Sequence, residues 1–336
     1  MSILYSDVSK EFHLFNDKIS YIISVLPNGE LGNLYFGKRI RHKESFSYLL
    51  EGGLRSLAVY TKEHDYFFSP GYSRMEYPSY GHGDFREHAY EIRQENGSSI
   101  TEFSYQSHQI YSGKEPLQGL PAVYVENAAE ADSLQIVLTD EMLQTDCILK
   151  YSIFRDYPVI TRSVEFVNRG RQSIQLERVF SASLDLPDTE YEMVQLSGAW
   201  SRERQVITRK IGPGIQGINS RKGISSAEHN PFIALKRCDT GEHTGEVIGM
   251  SLVYSGNHMG QVEVDTCNMT RIQMGIHPDG FAWKLEEGES FQSPEAVLVY
   301  SADGLNGMSQ VYHKLYRTRL VRGYWRDRER PILINN

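Results

Sequence analysis

Two short segments combine residue types that can hold or process a polar ligand: Tyr80-Gly81-His82-Gly83-Asp84-Phe85-Arg86, and Gly198-Ala199-Trp200-Ser201-Arg202-Glu203-Arg204. Each places a carboxylate close to arginine. Cleavage of the acetal link between two sugars needs a pair of carboxylates on opposite sides of the bond. The 43 Asp and Glu residues offer too many pairs for composition to choose one. In both segments the neighbouring positive charge favours the ionised carboxylate and a structural ion pair, so neither Asp84 nor Glu203 reads as a proton donor. Trp200 is different. The small residues Ser197, Gly198 and Ala199 ahead of it permit a turn, so one loop presents an indole together with Arg202, Glu203 and Arg204. An aromatic face suits the apolar side of a pyranose, and polar neighbours suit its hydroxyls. Most of the 21 tyrosines read instead as core or cross-strand residues.

Other chemistries lack their signatures. Gly212-Pro213-Gly214 has neither of the glycine-rich contexts that cradle phosphate, and no G-x-S-x-G elbow presents a serine nucleophile. The histidines are scattered without ligand spacing, and His229, beside Asn230-Pro231-Phe232, reads as a turn or core residue rather than a metal ligand. Cys147, Cys238 and Cys267 are odd in number and far apart, which suggests neither a disulfide framework nor a zinc site and fits a reducing compartment.

A formal charge of −8 opposes non-specific nucleic-acid binding, which requires a cationic field. The basic stretch from Lys314 to Arg330 reads as a solvated or domain-facing surface. No apolar run is long enough for a membrane span or a secretion signal, so the expected location is the cytoplasm.

The elements that must position these residues are strands. Short alternating segments rich in Val, Ile, Tyr, Phe and Thr recur between Gly, Asn, Asp and Pro. Clear strands are expected at 147–154, 159–167, 174–182, 247–254, 261–264, 271–276 and 296–300, with an early hairpin around Pro27-Asn28-Gly29. Without helical crossovers, this pattern predicts a mainly β protein built as two stacked antiparallel sheets, one large sandwich over residues 1–302. From Asp303 the periodicity becomes helical, with Leu305, Met308, Val311, Tyr312, Leu315, Tyr316 and Leu320 on one side. A helix is expected over 303–323, with Asp303 as N-cap and Gly323 as the C′ residue, and then a linker over 324–336.

Taken together, the segments resemble the amino-terminal domain of the bacterial α-galactosidases of glycoside hydrolase family 36. The resemblance rests on the two segments above, on His229-Asn230-Pro231-Phe232, Tyr254-Ser255-Gly256-Asn257, Gln273-Met274-Gly275-Ile276-His277-Pro278 and Pro294-Glu295-Ala296-Val297, and on Gly304-Leu305-Asn306-Gly307-Met308-Ser309 and Arg330-Pro331-Ile332-Leu333-Ile334-Asn335-Asn336. It implies a β-supersandwich, a linking helix and then a (β/α)8 barrel that carries both catalytic aspartates. The implied enzyme releases terminal α-1,6-linked galactose from melibiose and raffinose, uses no cofactor or metal, and forms a homo-oligomer, commonly a tetramer.

This chain contains no Lys-Trp-Asp, the family's nucleophile motif, and a barrel takes about 250 residues, so the barrel is expected to lie outside it. No residue here is expected to be catalytic. Trp200 is expected to border the galactose pocket with Arg202 and Glu203 in support, while Asp84 and Arg86 hold a structural loop or a subunit contact. An exposed apolar face is expected near the helix and Trp325, where the barrel would dock. The alternative is a free-standing galactoside-binding or mutarotase-like supersandwich.

Overall fold

A computed structural model of the chain describes residues 2–52 and 68–334. Met1, Asn335 and Asn336, at the outer limits of the expected domain and linker, lie outside the described residues. The first part of the chain holds β1 (Ile3–Ser6), β2 (Glu11–Phe15), β3 (Ile19–Val25), β4 (Leu31–Lys38), β5 (Tyr90–Gln94), β6 (Ser104–Ser112), β7 (Ala131–Asp140) and β8 (Thr145–Phe154). Next come β9 (Val159–Asn168), β10 (Ile174–Leu186), β11 (Tyr191–Ala199), β12 (Arg202–Lys210), β13 (Gly214–Ser220) and β14 (His229–Arg237). The last are β15 (Val247–Val253), β16 (His258–Val264), β17 (Thr270–Ile276), β18 (Trp283–Leu285), β19 (Ser290–Gln292) and β20 (Glu295–Ser301), followed by helix α1 (Gly304–Arg319).

These strands form three antiparallel sheets rather than two. One runs β12-β11-β14-β15-β20-β9-β8-β7-β6, with β19 also on β9. A second runs β13-β16-β17-β10-β18, with β5 also on β10, and the third is β1-β2-β3-β4. Phe12, Tyr21, Leu149, Leu184, Ile272 and Leu298 share one buried cluster drawn from all three, so the two smaller sheets together form the layer opposite the large one. The seam between them is closed by an irregular segment. The Asn33 N–H donates to the Arg74 carbonyl at 3.0 Å and the Glu76 N–H to that of Leu31 at 2.8 Å, while the Met75 N–H donates to Asp185 Oδ2 on β10 at 2.8 Å. The expected sandwich therefore stands with one layer split, because β4 meets this segment instead of another regular strand.

Strand β20 is buried along its whole length because both its faces are covered. Leu298 and Tyr300 enter the sandwich core, and the alternate residues Val297 and Val299 meet Met308, Tyr312 and Leu315 of α1. Two-sided burial requires a continuous apolar run, and Ala296-Val297-Leu298-Val299 supplies it. Burying each large side chain of the α1 stripe contributes about 1.5–3 kcal/mol. Gly249 permits the close approach, since a Cβ there would stand 2.8 Å from Met308 Sδ.

The helix starts where expected and ends earlier than expected. Asp303 occupies the N-cap position without a side-chain capping bond. The first N–H groups of α1 donate instead to carbonyls of the 241–245 loop, from Gly304 to Gly245, Leu305 to Gly241 and Asn306 to Glu242, which meets the same need for acceptors. At the other end, Leu320 and Val321 both donate to the Tyr316 carbonyl, so the helix closes at Arg319. Gly323 is not the C′ residue; it lies beyond the cap, with φ +73°, in a turn closed by the Arg326 N–H. The basic character of this region is locally neutralised, because Arg319 pairs with Glu130 at 2.7 Å and Arg326 with Glu126. Beyond it, Tyr324, Trp325, Ile332, Leu333 and Ile334 are exposed. No helix of the described residues is long and apolar enough to cross a membrane.

Candidate functional site

The β11–β12 hairpin brings Trp200, Arg202 and Glu203 to one tip. Strand β11 lies between β14 and β12, and β12 is the edge of the large sheet. Ala199 pairs with Arg202, which leaves Trp200 and Ser201 as the turn, with Ser201 in the left-handed region at φ +62°. The register shifts between Ser197 and Ala199. Gly198 sits in that bulge, where a Cβ would collide with the Arg202 carbonyl oxygen, so the bulge requires glycine. The result is a Trp200 side chain 87% exposed at the tip.

The root of the hairpin is fixed by polar contacts. Gln195 Nε2 donates to Ser197 Oγ at 2.7 Å, and that hydroxyl lies 2.8 Å from His229 Nδ1 on β14. The Gly198 N–H donates to the Glu228 carbonyl at 2.9 Å. His229 thus serves as a hydrogen-bonded strand residue, and the described residues contain no cluster of metal-ligating side chains.

Glu203 does not form the ion pair that its sequence neighbours suggest. Glu203 and Arg204 together face Gly198 across the bulge, with Arg204 left-handed at φ +56°, so regular strand alternation does not hold at Glu203. Its carboxylate accepts the Ser201 N–H at 3.0 Å instead and braces the turn. Among the described residues, Arg202, Glu203 and Arg204 enter no salt bridge, so the tip offers an indole, two guanidinium groups and a carboxylate to an outside partner.

Asp84 and Arg86 lie elsewhere, and no hydrogen bond or ion pair among the described residues joins them to the hairpin. Arg86 Nε and Nη2 hold the two Asp84 oxygens at 2.8 and 2.9 Å. Arg271 Nη2 on β17 reaches Asp84 Oδ2 at 2.7 Å while Arg271 also grips Asp185 of β10. Asp265 Oδ2 stands 3.5 Å from Arg86. Burial pushes the Asp84 pKa upward, but Arg271 and Arg86 outweigh it and hold the carboxyl at about 2. The expected Asp84–Arg86 pair is present. Its extension to Asp185, Asp265 and Arg271 carries no sequence signal, because these partners come from distant strands. Phe85, between the two anchored residues, is 80% exposed.

A second network was also out of reach of the sequence. Glu76, fully buried, accepts the hydroxyls of Tyr21 and Tyr151 at 2.8 Å each and pairs with Arg162 at 2.8 Å. Arg162 also donates to the Ser183 carbonyl of β10, so the network ties all three sheets together and leaves no open carboxylate there.

The geometry provides an exposed tip and two satisfied ionic clusters. Residues 29–286 match the model of the glycosyl hydrolase family 36 N-terminal domain, and residues 290–336 match that of Melibiase. The α-galactosidase AgaA of Geobacillus stearothermophilus is 47% identical over 339 residues, covering 100% of this chain and 46% of AgaA. Alpha-galactosidase 1 of Pediococcus pentosaceus is 39% identical over 340 residues, with 100% and 46% covered. The crystal structure of AgaB from Geobacillus stearothermophilus superposes with a TM-score of 0.94 at 46% identity, covering 99% of this chain and 45% of AgaB. An AgaA variant solved in complex with raffinose gives 0.94 at 47% identity, covering 97% and 45%. The chain spans about half the length of these relatives.

Proposed function

The chain belongs to glycosyl hydrolase family 36, and on that premise we propose that it is the non-catalytic N-terminal β-supersandwich of an α-galactosidase that releases terminal α-1,6-linked galactose from melibiose and raffinose. In the intact enzyme a catalytic barrel supplies the carboxylate pair. The sandwich supports that barrel, and the Trp200 hairpin narrows the substrate entrance, with Arg202 and Glu203 behind it. Asp84 and Arg86 hold the loop that carries Phe85 towards a subunit contact in a homo-oligomer, a tetramer in this reading. No cofactor or metal takes part. The cytoplasm is its location, a choice supported by the three free cysteines.

The observation that carries this reading is the exposure of Trp200 on a hairpin whose root is hydrogen-bonded and whose bulge requires glycine. Such an aromatic costs little to order on binding because the backbone beneath it is already fixed. In the full-length enzyme, Trp200→Ala should raise KM for raffinose by about tenfold, a loss of about 1.4 kcal/mol. An unchanged KM would remove Trp200 from the entrance. The 336-residue chain alone should release no nitrophenol from p-nitrophenyl α-galactoside; reproducible turnover would place a carboxylate pair within it.

A further inference from the structure

A recess that includes no residue of the β11–β12 hairpin is lined by side chains from both layers of the sandwich. It has a volume of about 600 Å³, and its lining includes Trp283, Phe281, Tyr254, Lys150, Glu165 and Gln292. Cavities of roughly 300–1,000 Å³ that combine aromatic walls with a few convergent polar groups are the usual form of small-molecule sites.

The fold builds this recess from both layers. Lys150 and Glu165 alternate with core residues of β8 and β9 and therefore face outward, opposite Leu149 and Val164. Lys150 Nζ donates to Glu165 Oε2 at 2.6 Å and to Gln292 Oε1 at 2.9 Å. Gln292 is held in turn by its amide, which donates to the Val164 and Ser293 carbonyls. Trp283 is half exposed, and its ring centroid lies 5.3 Å from that of Phe291, which also packs on Phe281 at 5.5 Å. The indole is thus fixed by aromatic contacts yet still open to a ligand.

The charge balance selects the ligand chemistry. The ammonium of Lys150 is compensated by Glu165, so the polar floor has no surplus charge to attract a phosphate or a sugar acid. A fixed donor, a fixed acceptor and an amide beside an indole match adjacent hydroxyls on an otherwise apolar ring face. We propose that this recess is a separate binding site for a short neutral oligosaccharide, with a pyranose against Trp283 and its hydroxyls on Lys150 and Glu165. The site is independent of the Trp200 hairpin.

The test is isothermal titration of the 336-residue protein with raffinose, melibiose and glucose 6-phosphate, using wild type, Trp283→Ala, Trp283→Phe and Trp200→Ala, with thermal unfolding to confirm that each is folded. Because the entrance role proposed for Trp200 needs the catalytic barrel of the intact enzyme, wild type and Trp200→Ala of this 336-residue protein should bind raffinose alike. Trp283→Ala should weaken binding about tenfold or more, Trp283→Phe should keep it within about threefold, and glucose 6-phosphate should bind no better than the neutral sugars. Absence of raffinose and melibiose binding in wild type, or wild-type affinity in Trp283→Ala, overturns the site. Loss of binding in Trp200→Ala alone also overturns it while favouring the hairpin as the sugar contact. The reverse failure is separate: an unchanged KM in full-length Trp200→Ala, with Trp283-dependent binding intact, removes the entrance role and keeps this site.

Discussion

Arg271 Nη2 and Asp84 Oδ2 meet at 2.7 Å, both side chains buried, and this contact fastens an irregular loop to β17. Arg271 is engaged at the same time by Asp185. Asp84→Asn would leave two buried guanidinium groups short of negative charge, and breaking a buried pair from one side costs about 3–5 kcal/mol. Urea unfolding of wild type and variant should show a loss of that order; a change below about 1 kcal/mol would mean that the cluster does not hold the loop.

The same carboxylate gives an acid-side prediction. Its folded pKa of about 2 lies below the ordinary value of about 3.9, so its contribution is complete above the unfolded pKa and disappears as pH falls through about 2. The stability difference between wild type and Asp84→Asn should therefore narrow between about pH 4 and pH 2. A constant difference across that range would rule out ionisation of Asp84 as its source.

His258 titrates in a milder window. Burial, reinforced by His229 and His277, lowers its pKa to about 4, whereas the unfolded chain takes up the proton near 6.5. The unfolded state then binds more protons between these values, so stability falls as pH is lowered from about 6.5 towards 4. His258→Gln should flatten that part of the stability profile relative to wild type. Parallel profiles would assign the slope to other groups, among them His13, whose burial lowers its pKa to about 3.

Gly198→Ala tests the hairpin. The added methyl meets the Arg202 carbonyl across the bulge, and overpacking of this kind costs about 1–3 kcal/mol. Hydrogen exchange of residues 199–210 should accelerate while exchange in β8 and β9 stays slow. Unchanged protection around Trp200 would show that the bulge tolerates a side chain.

Thiol labelling separates the cysteines. Cys238 is exposed and Cys147 is buried, where burial pushes its thiol pKa well up. Native protein should label first at Cys238, and at Cys147 only on unfolding, by mass spectrometry after reaction with a disulfide reagent. Rapid labelling of Cys147 in the native state would contradict the packing of β8 against the core.

The sequence by itself determined the class of the fold. Alternation such as Leu149, Tyr151 and Ile153 against Lys150 and Ser152 names a strand and its buried face, because side chains change sides at every residue. The three- and four-residue spacing of Met308, Tyr312 and Leu315 likewise names α1. These are local periodicities, and so was the turn that lifts Trp200 out of its strand.

What only the tertiary structure decided was partnership. Asp84 and Arg86 are two residues apart and could be paired on sight; Arg271 and Asp185 lie far along the chain and reach them only once β10 and β17 are side by side. Glu203 shows the opposite case: adjacent arginines promised a pair, and its carboxylate instead accepts the Ser201 N–H within the turn. The recess at Trp283 joins β8, β9 and the segments around β18 and β19, so no window of sequence contains it. A sequence records which residues can interact through spacing along the chain, whereas sites made by sheet stacking depend on distances that spacing does not encode.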